Sequence, residues 1–203
     1  SIGGVLRELG PDDIPALIEL LDRDPDAYSV VAERVVAAQL DPMGAGGPTW
    51  GWSVNGELRS AVFVGPNIIL VETTEPARSA FAARLVRTGR RSSAIVGYRE
   101  EVIDLWNRLE SEWGPCRELR DDQPLMVCTQ DPEQTPLEGV RRLNIGDLDA
   151  FLPAAIDMFT EEVGLSPVAG GRGPGYRARI GQAISQGRVY GRIDGGTTIF
   201  KAE

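Results

Sequence analysis

Apolar residues recur along this chain at two spacings, and the change from one spacing to the other marks out its elements. Residues 5–9 form a strand-like run. Pro11, Asp12 and Asp13 then open an amphipathic helix with Ile14, Leu17, Ile18 and Leu21 on one face. Asp24-Pro25 breaks it, and a second helix is predicted over 27–40 through Val31, Val35, Val36 and Leu40. Residues 41–48 read as a loop. Runs of β-formers at 49–54 and 58–64 flank Asn55-Gly56, a favoured hairpin turn. Gly65-Pro66 turns the chain into a buried-looking strand over 67–72. Thr73 or Thr74 caps a helix with Pro76 in its first turn, which ends near Gly89. A strand at 94–97 and a helix at 99–113 follow, the helix carrying Val102, Leu105, Trp106 and Leu109 at helical spacing. Two last strands are predicted at 116–119 and 125–129. Cys116 and Cys128, one in each, read as reduced core residues, and the four tryptophans as core or edge packing.

The polar, proline-bearing stretch after residue 129 reads as a linker. This gives a first domain over 1–129, a linker over 130–138 and a second domain over 139–203. The second begins with a strand at 140–143 and a long helix from Gly146-Asp147 to about Val163. A Gly/Pro-rich loop to Gly175, a helix at 176–186 and a hairpin around Asp194-Gly195-Gly196 complete it. That order repeats the opening of the chain. Shifted by 134 positions, Arg7-Glu8-Leu9 falls on Arg141-Arg142-Leu143, and Asp13-Ile14 on Asp147-Leu148. The hairpins also correspond, with Val54-Asn55-Gly56 resembling Ile193-Asp194-Gly195.

Charge and composition remove several classes of function. The formal net charge is −9, which argues against nucleic acid as a partner. The chain has no histidine, so Ser-His-Asp and Cys-His catalysis and most zinc sites fall away. Two cysteines are too few for a disulfide scaffold or a four-cysteine metal site. Lys201 is the only lysine and Ala202 follows it, which excludes a Walker-type phosphate loop. No apolar run spans a membrane and no secretory signal is visible, so a cytoplasmic protein is expected. The abundance of Ala, Gly and Arg suggests a GC-rich bacterial genome.

The order of elements over residues 5–129 resembles one GNAT domain, the acetyl-CoA-dependent N-acyltransferase fold. Residues 139–203 resemble the first part of another. The phrases SSAIVG (92–97), FTEEVGLSP (159–167) and IFKAE (199–203) are similar to bacterial tandem GNAT proteins, in which an N-terminal domain precedes a catalytic one. The resemblance implies an α/β protein with a mixed sheet (α+β), a small-molecule or peptide amine as acceptor, and acetyl-CoA as co-substrate of the full-length family. It implies direct attack of the amine on the thioester, with no metal. GNAT enzymes hold the coenzyme pyrophosphate with [RQ]-x-x-G-x-[GA] at a strand–helix junction. Here that junction reads Glu72-Thr73-Thr74-Glu75-Pro76-Ala77-Arg78. It has no glycine, Pro76 has no N–H to give, and the carboxylates repel phosphate. The first domain is therefore expected to be degenerate and to hold no coenzyme. The second reaches only its third strand, before the junction. Arg172-Gly173-Pro174-Gly175-Tyr176-Arg177 starts like the motif but ends in Arg and lies between helices.

The same resemblance sets Glu161 and Glu162, at the end of the long helix, near an acceptor amine. It makes Tyr176, Arg177 and Glu203 further substrate-binding candidates, with the 172–177 loop as a gate. Solvated helix faces and ordinary surface ion pairs are the plainer readings. Arg78, Arg84, Arg87, Arg90 and Arg91 likewise read as a solvated basic face. No catalytic residue is assigned. Two functions stand open: the N-terminal portion of an N-acetyltransferase, or a non-catalytic ligand- or partner-binding module. In the second, residues 197–202 form an open sheet edge that a homodimer would cover.

Overall fold

Two units make up the chain, Ser1–Cys128 and Thr129–Glu203. The computed structural model describes residues 3–135 and 137–203. The protein is of mixed α/β class, with a five-stranded mixed sheet in unit 1 and a three-stranded antiparallel sheet in unit 2.

Unit 1 runs β1 (Val5–Glu8), a 3-10 turn (Pro11–Asp13), α1 (Ile14–Leu21), α2 (Pro25–Ala37), a one-turn helix α3 (Pro42–Ala45), β2 (Thr49–Val54), β3 (Glu57–Val64), β4 (Asn67–Val71), α4 (Glu75–Thr88), β5 (Ala94–Val96) and α5 (Arg99–Trp113). The sheet order is β1-β2-β3-β4-β5, antiparallel except for the parallel pair β4–β5. Central strand β3 is buried on both faces, and its alternation divides the core. Ala61 and Phe63 pack with Leu17, Leu20 and Val31 from α1 and α2. Val62 turns to the other face, against Phe81 and Leu85 of α4 and Leu105 and Leu109 of α5. Asp24 caps α2 by accepting the Ala27 N–H at 3.0 Å. That helix ends three residues before the sequence suggests, because Gln39 and Leu40 adopt φ of 52° and 59°.

Unit 2 runs β6 (Arg141–Arg142), a 3-10 turn (Ile145–Asp147), α6 (Leu148–Val163), a 3-10 turn (Ala169–Gly171), α7 (Gly173–Ser185), β7 (Tyr190–Asp194) and β8 (Thr197–Ala202). Its core joins Leu143, Phe151, Ile180 and Val189. The repeat is physical and keeps its register. Arg7 pairs with Gly51 across β1–β2, and Arg141 with Gly191 across β6–β7. Trp52 faces Ser60, and Arg192 faces Phe200, each just before a register shift. The Leu9 N–H donates to the Thr49 carbonyl at 2.8 Å, and the Leu143 N–H to Val189 at 2.9 Å. Arg7 donates to Asp13 at 2.7 Å and Arg141 to Asp147 at 2.8 Å, and both carboxylates also accept a backbone N–H, of Gly10 and of Asn144. Space is tight at the paired strand positions: a Cβ on Gly51 would lie 2.5 Å from the Leu9 side chain and force it to shift, and one on Gly191 would lie 3.1 Å from the Leu143 side chain and the Phe200 carbonyl.

Four expectations are corrected. The strands expected at 116–119 and 125–129 are absent, and the described residues between Trp113 and Arg141 form no helix or strand. β-propensity makes a strand only where a neighbouring edge accepts it, and here Leu125, Met126 and Val127 remain exposed. Neither cysteine is a core residue, since Cys116 is half-buried and Cys128 exposed. The hairpins align at a shift of 140, so that Asn55-Gly56 matches Gly195-Gly196 and Val54 matches Asp194. Asp41 turns the expected 41–48 loop into a capped helical turn, accepting the Gly44 N–H at 2.7 Å.

Candidate functional site

In open sheets with parallel strands, ligands favour the crevice at the strands' carboxyl ends, where helix N-termini present backbone donors. In unit 1 that place lies after β4 and β5. The two strands pair as far as Ile69 and Val96, and the chain then enters α4 and α5. Glu72 follows β4 with φ of 51°, a left-handed conformation uncommon for a non-glycine residue.

Three backbone donors at this junction are occupied. The Glu72 N–H donates to the Tyr28 hydroxyl at 3.2 Å, and that hydroxyl donates to Glu72 Oε1 at 3.1 Å. The Thr73 N–H and hydroxyl both reach Glu101 Oε2, at 3.4 and 2.6 Å. The Thr74 N–H donates at 3.1 Å to Ser60 Oγ, which donates at 2.8 Å to the Glu72 carbonyl. Pro76 has no N–H. Arg78 donates to the Thr73 carbonyl at 2.5 Å and to Asp104 at 2.6 Å. Arg108 bridges Asp104 and Glu75. Arg23 closes the outer side with a 3.2 Å ion pair to Glu72. Tyr98, edge-on to Tyr28 at 6.4 Å, donates to Asp24.

Burial pushes the Glu101 carboxyl above the usual range, against the Thr73 bonds that lower it. Burial also raises the Tyr28 hydroxyl, opposed by the Glu72 N–H and aided by the Glu72 carboxylate. The bond to Asp24 pushes the Tyr98 hydroxyl up to about 12. Arg108, then Arg78, hold Asp104 below its ordinary value. The ensemble is a closed polar network. A pyrophosphate placed here would meet Glu72, Glu75 and Glu101, and three of the local N–H groups already have acceptors.

The candidates in unit 2 make separate contacts. Glu161 and Glu162 are exposed in the last turn of α6. Tyr176 is buried, its hydroxyl on the Ala155 carbonyl at 3.1 Å and its ring against Phe159. Arg177 forms a 2.7 Å ion pair with Asp149, and Glu203 a 3.0 Å pair with Lys201. Lys201 lies over the Phe151 ring at 5.4 Å, which turns that side of β8 toward α6. Among the described residues, no hydrogen bond or ion pair joins any two of the five. Residues 173–176 are the first turn of α7 rather than a gating loop.

Sequence reasoning singled out 72–78 but missed Tyr28, Ser60, Tyr98 and Glu101, which come from other elements and share no local spacing with it. The basic face of α4 is also only partly solvated: Arg78 is held by Asp104, and Arg84 stacks on Trp50 at 4.4 Å. No group of three or more Cys, Asp or Glu among the described residues could hold a metal, and no helix is long and apolar enough to cross a membrane.

No curated protein and no solved structure matches the chain. One family model does, across residues 47–151, from the approach to β2 through the junction and α5 into the start of α6. That match takes in more than half of the chain, which therefore belongs to the family described as Domain of unknown function (DUF4081).

Proposed function

We propose that the chain is built on the GNAT plan and that unit 1 is a non-catalytic GNAT-like module with its coenzyme crevice sealed. The observation that carries this reading is the occupation of the Glu72, Thr73 and Thr74 N–H groups by Tyr28, Glu101 and Ser60. A phosphate-binding helix start needs such donors free and a field that favours anions. Here three of the donors are taken, and Glu72, Glu75 and Glu101 oppose an anion.

The internal repeat supports a second part of the proposal. Unit 2 repeats the strand, two helices and hairpin that precede the coenzyme junction in unit 1. Acetyl transfer from acetyl-CoA to an amine would then belong to a domain that begins as unit 2 does, with unit 1 binding a ligand or partner. Calorimetric titration of acetyl-CoA, with free CoA as control, tests the sealed crevice. The expected result is no binding tighter than ~1 mM. Micromolar binding abolished by a substitution in 72–78 would overturn the proposal.

A further inference from the structure

Alternation along the strands of unit 2 divides its sheet into two faces. Leu143 and Val189 pack with α6 and α7, and Lys201 shares their side, over the Phe151 ring. Arg142, Tyr190 and Ala202 pair across β6, β7 and β8 and lie on the other face, beside Phe200. All four are exposed.

Unit 1 shows what such a face takes. The same register sets Glu8, Trp50 and Val62 in one row, and α4 packs over Trp50 and Val62. Arg84 of α4 completes that row. Its guanidinium lies 4.4 Å from the centre of the Trp50 ring and 4.0 Å from a Glu8 carboxylate oxygen. The sheet thus supplies an aromatic ring and an anion, and the helix supplies the cation.

Unit 2 keeps the ring and reverses the charge. Arg142 stands at the place of Glu8, its guanidinium 5.5 Å from the centre of the Tyr190 ring and bonded to the Tyr190 hydroxyl at 2.9 Å. Among the described residues it takes part in no ion pair. An arginine–carboxylate pair keeps its combined length when its two members change sides. A helix that completes this row therefore brings a carboxylate where α4 brings Arg84. A second copy of the same face would set one basic row against another, which opposes self-association there.

We propose that the outer face of the unit 2 sheet docks an acidic amphipathic helix of a partner protein, with a carboxylate on Arg142 and an apolar flank on Tyr190 and Phe200. The proposal rests on register and charge and does not depend on the GNAT reading.

The probe is a peptide of residues 74–89, which contains α4, held helical by a side-chain lactam between positions 79 and 83. Both positions are exposed on α4. One form keeps Arg84 and the other carries Arg84→Glu. Each is titrated into the ¹⁵N-labelled chain. The Arg84→Glu peptide is expected to move the amide signals of β7 and β8 in a saturable way, with a Kd below ~1 mM, and the unaltered peptide to bind about tenfold more weakly. Arg142→Glu in the chain should reverse that order, and Phe200→Ser should weaken both peptides. Arg142 and Phe200 are exposed, so these variants leave the core of unit 2 intact. No shift in β7 and β8 up to ~5 mM of either peptide overturns the proposal. So does equal binding of the two peptides, or a preference that Arg142→Glu leaves unchanged.

Discussion

Units 1 and 2 carry the same strand, helix pair and hairpin in the same register, but they bury them differently. In unit 1 one sheet face meets α1 and α2, and the other meets α4 and α5. In unit 2 only the face toward α6 and α7 has such a core. Matching positions show the contrast. Trp50 and Val62 in unit 1 are 3% and 0% exposed, whereas Tyr190, at the place of Trp50, is 40% exposed. Ser60 is fully buried in unit 1, and its counterpart Phe200 is 41% exposed. Register therefore does not decide burial. The second helical layer does, and it also carries the 72–78 junction.

The largest expected effect comes from breaking that layer. Phe81 is fully buried on α4, and Phe81→Ala should cost unit 1 about 3–5 kcal/mol. All four tryptophans lie in unit 1, so urea unfolding followed by indole fluorescence reads that unit alone. A loss below ~1 kcal/mol would mean that α4 packs loosely and that the two units differ less than their burial suggests.

A smaller effect is expected at the matched pair Ser60 and Phe200. Ser60→Ala leaves the Thr74 N–H and the Glu72 carbonyl without their partner, at a cost of about 1–3 kcal/mol. Phe200→Ser removes a side chain that is already 41% exposed and should cost less, within ~1 kcal/mol. Urea midpoints read by amide NMR in each unit decide the matter. Equal costs would show that the bare face of unit 2 is packed in solution.

Sequence pattern goes far where the physics is local. Helical periodicity places α5 residue for residue, and with Asn55-Gly56 and Gly89 as punctuation most strands fall to within a residue or two. The repeat was legible because Arg7/Asp13 and Arg141/Asp147 keep one spacing. Pattern fails where tertiary partners decide. Leu125 to Val127 look like a strand, yet no edge accepts them. The absence of glycine from 72–78 was visible, but the closure of that junction was not. Tyr28 is 44 positions from Glu72, and Thr73 is 28 from Glu101.

The repeated Arg–Asp brace offers a comparison within the comparison. The Arg141 bond and the Asn144 N–H hold Asp147 down to about 2, and Arg7 with the Gly10 N–H lowers Asp13. Both carboxyls sit below their unfolded values, so each brace stabilises fully above about pH 4 and is lost as pH falls through its folded value. Asp13→Asn and Asp147→Asn should each cost ~1 kcal/mol at neutral pH, chiefly through weakened bonds to the arginine and to the Gly10 or Asn144 N–H, and flatten the acid-side loss of stability in their own unit. Stability measured between pH 6 and 2.5 checks this. A variant that keeps the full acid slope would show its brace to be ornamental.

The smallest effect is expected at Arg177, a residue that sequence resemblance set beside a substrate. Its ion pair with Asp149 is 2.7 Å long, but the side chains are 45% and 84% exposed. Water screens such a pair and leaves both long side chains an alternative, so the contact adds little. Arg177→Ala should change stability by less than ~0.5 kcal/mol, and added salt should erase even that difference. Arg78 in unit 1 is the contrasting arginine, only 14% exposed and bound to both Asp104 and the Thr73 carbonyl. Arg78→Ala should cost more than Arg177→Ala and resist salt, because removing it leaves a carbonyl and a carboxylate short of a donor in a half-buried place. If the two substitutions cost the same, the junction of unit 1 is as solvated as the surface of unit 2, and the sealing network loses its physical basis.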